Sequence, residues 1–593
     1  MLRGEVKMLF YDFEVFEKDW LVVIKDTKTR TTTNIVNDAE KLRRFHGKHV
    51  KDIWCGYNSR QYDRWILKAI ILGFNPKELN DWIIVQKKQA WQFSSLLNKI
   101  PLINYDCMNS FHGLKQLEGF MGHDIRETTV PFDIKRKLTD KEIEEVLFYC
   151  NHDVKETMEV FMRTQSEFKA HIGLVKAFNL DMNQINKTKT QLSAYILGAE
   201  QKKRKFDEFD IKIVDTIKLN KYKFIQKFYE DSRDEVAEKY YKKFEYDVEA
   251  KKAYYKSKVL NLDILGVPHS FGWGGLHGAV PNYFGEGFFV NSDVGSFYPS
   301  LMIAYALLSR NVKNPNKYSE IYEYRMKLKK AGKKAEQQPY KIVLNATFGG
   351  SKDQYNPLFD PRQANNVCIN GQLMLLDLIE KVHEALPTAK LIQSNTDGVM
   401  WKLSSKNDFA KYKSVCDEWC NRTKMTLDHD TIKKVIQKDV NNYIIVMDND
   451  KIKSKGAYVK SLNDLDYDLP IINKALTEYL LNGVSVERTI LECDDLIQFQ
   501  KICKVSIKYK CALHGDKVLS EKVLRVFASK NSYDEGVFKI KLGKDKKEKV
   551  AGTPIHCFID NSDVREKKIP RYLDRNWYIA ETKKRISKFR GTK

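Results

Sequence analysis

The sequence predicts an N-terminal α/β domain followed by a larger α+β region. Strand and helix patterns alternate through the first 165 residues, whereas glycine-rich turns, strand pairs and a helical hairpin follow from about residue 266. The chain has 593 residues, which is more than one hydrophobic core usually organises, so several domains are expected.

The N-terminal domain, residues 1–165, begins with strands. VKMLFYDFEVF and DWLVVIKD predict a strand pair, IWCGYN predicts another strand, and RQYDRWILKAIILGF has apolar residues at helical spacing. A longer helix is predicted to begin after Thr139, because its hydroxyl can cap the helix while Glu142 completes a capping box.

Residues 166–265 are basic and rich in tyrosine, and are predicted to form long charged helices. They either contact a nucleic-acid backbone or dock on the N-terminal domain as solvated helices, and docking is the simpler expectation. The interleaved tyrosines are Tyr222, Tyr229, Tyr240, Tyr241, Tyr246, Tyr254 and Tyr255.

The remaining chain divides into four predicted segments. Residues 266–309 contain the strand FFVNSDVGSFY, and 310–365 contain a basic helical hairpin. Residues 366–465 hold the strand pair KLIQSN and GVMWKL, and 466–593 form a basic α+β tail.

Composition limits the partners and the compartment. The formal net charge of +23 favours a polyanionic partner, although a generally basic protein without one has the same charge. Ten scattered cysteines without zinc-ligand spacing indicate reduced thiols in the cytoplasm. The sequence has neither a signal-peptide pattern nor an apolar run of membrane-spanning length, so no membrane association is expected.

A first set of acidic residues lies in the N-terminal domain. Asp12 and Glu14 alternate on one strand and therefore face the same side. Asp63 starts a helix, and Asp153 lies on the late helix. Such carboxylates hold the two Mg²⁺ ions of a phosphodiesterase, which activate water and stabilise the leaving 3′-oxygen. Tyr149 precedes Asp153 by one helical turn and can orient that water.

A second set belongs to the later region. Asp293 ends a strand, and Asp397 lies in the turn of a predicted β-hairpin. Together they can supply the carboxylates of a two-Mg²⁺ nucleotidyl transfer, with the Val294 carbonyl as a third ligand. Tyr298 is placed to stack beneath a sugar and to exclude a 2′-hydroxyl.

Basic and polar residues near this second set are expected to hold a nucleotide. Lys341, Asn345 and Phe348 lie on one helical face, where lysine and asparagine can contact phosphates and phenylalanine can stack on the base. Arg325 and Lys329, one turn apart on the preceding helix, can reach the same triphosphate.

The first set resembles the three exonuclease motifs of DnaQ-like proofreading domains, and the second resembles motifs A, B and C of family B DNA polymerases, in the same order. The chain thus resembles a phage-type family B DNA polymerase over about residues 8–165 and 270–460. This resemblance implies an RNase H-like exonuclease domain and a right-hand polymerase, in which 266–309 and 366–465 form the palm, 310–365 the fingers and 466–593 the thumb or C-terminal region.

The same resemblance implies a template-directed DNA polymerase with 3′→5′ proofreading. It implies two Mg²⁺ per active site, replaceable by Mn²⁺, and primer–template DNA and dNTPs as partners. It also implies phage genome replication by a monomer in the bacterial cytoplasm, assisted by a helicase, a single-strand-binding protein or a clamp.

Several residues are assigned DNA contacts by resemblance alone. Asn58 and Leu114 would hold the frayed 3′ end. Gly274 and Gly275 form a glycine turn that would touch the template. Lys455 and Tyr458, in a KxY-like element, would steady the primer terminus.

The sequence also departs from the family pattern. Val15 replaces a threonine, and His123 lies near the position of an assisting lysine. Motif B has Ala346 and Phe348 where serine and tyrosine are usual. In motif C, Asn395 replaces the first acid, which removes one negative charge and is expected to weaken the site modestly. Gly398 replaces the usual serine of that motif.

Three alternatives follow. One is an active exonuclease whose degenerate polymerase module only binds DNA, and another is a structural DNA-binding protein with surface acids. Tyr298 argues against the third, a reverse transcriptase or RNA polymerase. The short separations from Asp293 to Lys341 and from Asn345 to Asp397 leave no room for the insertions of protein-primed relatives, so priming by nucleic acid is expected.

Overall fold

In the computed structural model of the chain, the described residues are 7–108, 111–202, 207–236, 243, 247–506, 508–543 and 546–592. They divide into two units. The first unit combines Met1–Asn186 with Leu462–Thr582, and the second combines Lys187–Ser461 with Lys583–Lys593.

The first unit begins with a five-stranded sheet, in which strands alternate side chains between two apolar layers. The spatial order is β3-β2-β1-β4-β5, and β1 pairs antiparallel with β2 but parallel with β4. The strands are β1 (Met8–Val15), β2 (Trp20–Asp26), β3 (Thr32–Val36), β4 (Ile53–Gly56) and β5 (Ile103–Asp106).

Helices cover both faces of this sheet, which gives the predicted α/β pattern. The longest of them begins after Thr139, whose hydroxyl accepts from the Glu142 amide at 3.3 Å, so the predicted capping box is present. The helices are α1 (Ala39–Lys48), α2 (Asp63–Leu72), α3 (Pro76–Ile84), α4 (Leu114–Met121), α5 (Asp140–Arg163) and α6 (Gln165–Ala177).

The second unit is built on a nine-stranded antiparallel sheet of order β14-β13-β12-β9-β11-β10-β8-β7-β6. Its strands are β6 (Leu260–Ile264), β7 (Val267–Phe271), β8 (His277–Ala279), β9 (Tyr283–Val294), β10 (Lys390–Asn395), β11 (Gly398–Leu403), β12 (Leu427–Asp439), β13 (Asn442–Met447) and β14 (Ile452–Lys455).

Helices of the second unit include the predicted hairpin, formed by α11 and α12, and a long buried helix, α13. The helices are α7 (Lys189–Ile196), α8 (Lys223–Val236), α9 (Val248–Ser257), α10 (Phe297–Ala304), α11 (Pro315–Lys330), α12 (Lys334–Lys352), α13 (Pro361–Ala385) and α14 (Asp408–Thr423).

The prediction of long charged helices for the basic, tyrosine-rich segment is wrong for residues 207–222, which form an extended strap without helix or strand. The reason is a row of buried polar side chains on α13. Asn370 accepts from the Val214 amide and donates to the Lys212 carbonyl, both at 2.9 Å. Asn366, Asp377 and Glu380 accept from other strap amides in the same way. Side chains thus satisfy backbone groups that a helix would pair internally.

The described tyrosines of this segment pack within the second unit. Tyr222 and Tyr229 are buried, and the rings of Tyr254 and Tyr255 surround Phe209 at 5.2 and 5.0 Å. Tyr240, Tyr241 and Tyr246 lie outside the described residues.

The C-terminal segment predicted as 466–593 is not a separate unit, because residues 462–582 pack with the N-terminal domain. Ile502 and Val523 join Leu117, Phe120 and Val160 in one apolar cluster. The elements are α15 (Pro470–Asn482), α16 (Val486–Leu491), β15 (Lys501–Lys504), β16 (Tyr509–His514), β17 (Lys517–Leu519), β18 (Val523–Ala528), β19 (Val537–Lys541), β20 (Lys547–Lys549), β21 (Cys557–Ile559) and α17 (Arg575–Arg590).

Composition led us to expect reduced thiols and no membrane association. All ten cysteines are free thiols. Among the helices described, none combines the length and the apolar character needed to cross a membrane.

The strap supports a stability prediction. Asn370→Ala removes the partners of two buried strap backbone groups, so the free energy of unfolding should fall by about 1–3 kcal/mol. Urea denaturation measures this change. The control is Asn261→Ala at an exposed position, which should change stability by less than about 0.5 kcal/mol. Equal stability of the two variants would contradict the role given to the strap.

Candidate active sites

Four carboxylates of the first unit gather around β1. Asp12 and Glu14 lie on the face of β1 against which α5 packs, and α5 carries Asp153. Asp63, the first residue of α2, accepts from the Phe13 amide at 3.1 Å, which fixes it beside the same strand. The structure therefore brings together the four acids that the sequence singled out.

Burial and mutual repulsion make these carboxylates hard to ionise without a cation. Burial raises the pKa of Asp63 to about 7, against a hydrogen bond from Phe13. Burial followed by repulsion from the neighbouring acids raises the pKa of Asp12 and of Glu14 well above the usual range. Burial also raises the pKa of Asp153 to about 6, although the positive charge of Lys115 opposes the shift.

Lys115 is a site residue that the sequence analysis missed. Its ammonium donates to Asp153 Oδ1 at 2.5 Å and to Glu118 Oε1 at 3.0 Å. Burial opposes its charge, but Asp153 and Glu118 outweigh burial and raise the pKa of Lys115. His123, placed near the lysine position from sequence, instead bonds to Glu156 Oε2 at 2.7 Å. The sequence pattern that could have identified Lys115 is its i, i+3 spacing from Glu118, which makes the two side chains neighbours on one helix.

The remaining predicted residues of this site lie at its edge. The Lys115 ammonium is 4.6 Å from the centre of the Tyr149 ring. Asn58 is exposed with a φ of 59°, in the loop before α2. Leu114 is the first residue of α4 and packs on the apolar cluster beneath it.

The donor set of this site fits hard divalent cations. Carboxylate oxygens are the ligands that Mg²⁺ and Mn²⁺ prefer, and four of them repel one another here. The Cys150 thiol also lies beside Asp12 and Glu14, with its Sγ 3.4 Å from the Asp12 backbone oxygen, and burial raises its pKa well above the usual range.

In the second unit, the ladder of the large sheet places Asp293 and Asp397 together. Asp293 on β9 lies opposite Gly398 on β11, and the Val294 amide donates to the Asp397 carbonyl at 2.7 Å. Loss of water and then repulsion from Asp397 raise the pKa of Asp293 to about 6. Loss of water also raises the pKa of Asp397, although the positive charge of Lys455 opposes this shift.

Gly398 leaves space for the Asp293 carboxylate. A Cβ at position 398 would lie only 2.0 Å from Asp293 Oδ1. A serine at position 398 would therefore force Asp293 into another rotamer. The turn before Gly398 is also tight, because Thr396 has a φ of 41°, which is rare for a β-branched residue.

A cavity of about 510 Å³ opens in front of the two acids, a size typical of small-molecule sites. Arg325 reaches into this region and donates to Ser296 Oγ at 2.5 Å, while its buried Nε has no partner within the described residues. The rings of Tyr298 and Phe348 lie 4.4 Å apart. The lining includes every predicted nucleotide and metal residue of this set: Asp293, Val294, Tyr298, Arg325, Lys329, Lys341, Asn345, Phe348 and Asp397.

A second cavity of about 290 Å³ shares the two acids and contains Lys455 and Asn395. Tyr458 is not among its lining residues, and its ring instead lies 5.6 Å from the Lys438 ammonium. Of the glycine turn, Gly275 closely approaches Thr396, since a Cβ there would lie 2.7 Å from the threonine hydroxyl, whereas Gly274 faces open space.

The structure adds acidic residues that carry no motif. Asp428 on β12 lies directly opposite Asp293 and lines the larger cavity. Its carboxylate is 3.3 Å from the Lys329 ammonium. Asp430 lines the smaller cavity and bonds to Lys453 at 2.7 Å. Only strand pairing brings these acids to the site, so sequence spacing could not identify them.

Comparisons with known proteins give a distant structural similarity. No protein-family model matches the sequence, and no curated protein matches it. Among solved structures, the chain is similar to a family B DNA polymerase from the hyperthermophilic archaeon Pyrobaculum calidifontis. The TM-score is 0.43 with 13% identity, over 99% of this chain and 78% of that one.

Both acidic sites should bind Mn²⁺, because a divalent cation relieves the repulsion between their carboxylates. Asp12→Ala and Asp397→Ala should each weaken one class of binding site by roughly 10–100-fold or more, since even supporting groups around a metal matter that much. Mn²⁺ is titrated into each protein, and electron paramagnetic resonance measures the free Mn²⁺ at each step. The control Asp516→Ala, at an exposed aspartate outside both sites, should bind as wild type. Unchanged binding in the double variant of Asp12 and Asp397 would contradict the assignment.

Proposed function

We propose that this protein is a DNA-directed DNA polymerase with an intrinsic 3′→5′ proofreading exonuclease. The observation that carries the proposal is the larger cavity, which is lined by two carboxylates, three cationic side chains and two aromatic rings in contact. Two acids alone are common on protein surfaces. Acids, phosphate-binding cations and aromatic rings in one cavity of about 510 Å³ match the charge and size of a metal-bound nucleoside triphosphate.

In the polymerase site, Asp293 and Asp397 would hold two Mg²⁺ ions, with the Val294 carbonyl as a further ligand. When bound, these ions supply activation of the primer 3′-oxygen and neutralisation of the triphosphate. Arg325 and Lys341 would then orient the phosphates for in-line displacement.

The remaining side chains of the cavity would select and align the nucleotide. Phe348 would stack on the base beside Tyr298, and Asn345 would hydrogen-bond to the phosphates. The Tyr298 ring would lie where a ribose 2′-hydroxyl projects. Lys329 would exchange its bond to Asp428 for a phosphate oxygen, because both lie at the cavity wall.

In the exonuclease site, Asp12, Glu14, Asp63 and Asp153 would hold the second pair of Mg²⁺ ions. These ions supply activation of water and stabilisation of the leaving 3′-oxygen. Tyr149 would orient the attacking water. Asn58 and Leu114, at the edge of this site, would contact the unpaired 3′ end.

We further propose that the enzyme extends nucleic-acid primers on a template as a monomer in the cytoplasm of a bacterial host, in phage genome replication. A helicase, a single-strand-binding protein or a clamp would assist it. Lys455, beside the two acids, and Tyr458 would steady the primer terminus, and Gly274 and Gly275 would touch the template. The short separations between the motifs support priming without a terminal protein.

One observation favours a second candidate function. Asn395, in the smaller cavity, stands where motif C would have its first acid, so the polymerase site lacks that carboxylate, while the exonuclease site keeps all four carboxylates. The second candidate is therefore an exonuclease whose polymerase module binds DNA without extending it.

Paired variants separate these functions on one labelled primer–template with Mg²⁺, with and without dNTPs. Asp397→Ala should reduce extension by about 100-fold or more and leave 3′ degradation intact, because each site needs its own ligands. Asp12→Ala combined with Asp63→Ala should do the reverse. Wild-type protein that degrades the primer but never extends it would support the second candidate function.

Tyr298 supplies a prediction about sugar selection. Tyr298→Val should raise ribonucleotide incorporation relative to deoxyribonucleotide incorporation by about tenfold or more, because a steric block worth more than about 1.4 kcal/mol is removed. The ratio of kcat/KM for the two nucleotides measures it. Tyr412→Phe, at a buried tyrosine outside the cavity lining, should leave the ratio unchanged. An unchanged ratio in Tyr298→Val would contradict the role of this ring.

A further inference from the structure

Helix α4 places Lys115 at the exonuclease site, although it is too short to hold its own position. It spans only Leu114–Met121, and an eight-residue helix is unstable in isolation. Lys115 lies in its first turn and bonds to Asp153. The placement of this ammonium therefore depends on whatever fixes α4 from outside.

The C-terminal segment supplies that fixation. Carbonyl groups at the end of a helix need partners from outside it. Here four carbonyls, in the last turn of α4 and in the two residues that follow it, accept hydrogen bonds from residues 500–564. Arg525 Nη2 donates to Gly119 O at 3.2 Å and to His123 O at 2.6 Å. Gln500 Nε2 donates to Phe120 O at 3.1 Å, and the Val564 amide donates to Gly122 O at 3.0 Å.

Arg525 is the centre of this arrangement. Its side chain is 0% exposed, and burial lowers its pKa to about 10, against nearby acids that include Asp560 and Glu118. A guanidinium has five N–H donors. Beyond the bonds to Gly119 and His123, Nε donates to Gln500 Oε1 at 3.0 Å, and Nη1 donates to Ser562 O at 2.5 Å and Asp560 O at 3.3 Å. All five bonds end on carbonyl oxygens, so the planar group is held in one orientation at the negative end of the helix dipole.

Charges of alternating sign connect Arg525 to the site. Glu118, also 0% exposed, attracts Arg525 and accepts from Lys115 at 3.0 Å, and Lys115 in turn bonds to Asp153. The second oxygen of Glu118 has no hydrogen-bond partner in the described part of the chain, and His152 Nε2 lies 3.8 Å from it. A buried carboxylate needs positive charge close by, so loss of the Arg525 charge would pull Lys115 toward Glu118 and away from Asp153.

We propose that Arg525 is a positioning residue of the exonuclease, acting through α4 and Glu118 to keep Lys115 on Asp153. The C-terminal segment is then a working part of the nuclease. This inference rests on the proposed exonuclease function, but it assigns to that site a residue more than 400 positions from Lys115 in the sequence.

The test is a double-mutant cycle on the full-length protein. Arg525→Met keeps the side-chain length and removes the charge and the donors, and it is made in wild type and in Lys115→Met. Single-turnover degradation of a labelled 3′ single-stranded end is measured at saturating protein with Mg²⁺, and primer extension is measured on the same preparations.

Arg525→Met should slow degradation by about 10–100-fold, as removal of a supporting group does in metal sites, while extension stays within twofold. Arg525→Lys should recover part of the rate, because it restores a cation at the helix end. In Lys115→Met, adding Arg525→Met should cause less than a twofold further loss, because the two residues act on one path. Arg136→Met, at an exposed arginine of the same unit, should behave as wild type.

Additive losses in the cycle would overturn the proposal, since they would mean that Arg525 acts only on general stability. So would degradation at the wild-type rate in Arg525→Met. If Arg525→Met does not fold, Gln500→Met carries the same test, because it removes the bond to Phe120 and one support of Arg525. Wild-type protein that degrades no DNA would overturn the proposed nuclease together with this inference, whereas an active wild type with unaffected variants overturns this inference alone.

Discussion

Like charges held at short range are the constraint on which both candidate sites depend. In the first unit, burial and nearby acids raise the pKa values of four carboxylates, those of Asp12, Glu14, Asp63 and Asp153. In the second unit, burial and repulsion from Asp397 raise the pKa of Asp293. Such clusters of carboxylates are unfavourable when no cation neutralises them. They persist because each acid is fixed by an element whose stability comes from elsewhere: a central strand, a helix start or a hairpin turn.

The two units meet this constraint differently. In the first unit the acids lie on β1, α2 and α5, and a lysine on a short helix offsets part of their charge. In the second unit the ladder sets the geometry: Asp293 has Gly398 on one side and Asp428 on the other, and the missing side chain of Gly398 leaves room for the carboxylate. Asn395 lies beside these acids without a charge of its own, and Asp428 and Asp430 reach the same sheet region from β12.

Buried polar side chains hold irregular backbone in both units. Asn370 and its neighbours on α13 satisfy the strap of residues 207–222, and Arg525 satisfies the end of α4. Backbone groups removed from water need partners, and a side chain can supply them where no helix or strand does. This use of asparagine, glutamine and arginine also gives the core of each unit a defined arrangement, because polar partners must match in direction as well as in shape.

Local patterns in the sequence determined much of this protein. Strand-like apolar segments predicted β1 and β2, the capping box at Thr139 predicted the start of α5, and helical spacing placed Lys341, Asn345 and Phe348 on one face, because all three depend only on neighbours in the chain. The tertiary structure alone decided the strap, the place of the C-terminal segment, and the arrival of Lys115, Asp428 and Arg525 at or behind the sites. These features depend on side chains that are from 38 to more than 400 residues apart in sequence, and no local periodicity encodes which of them will meet.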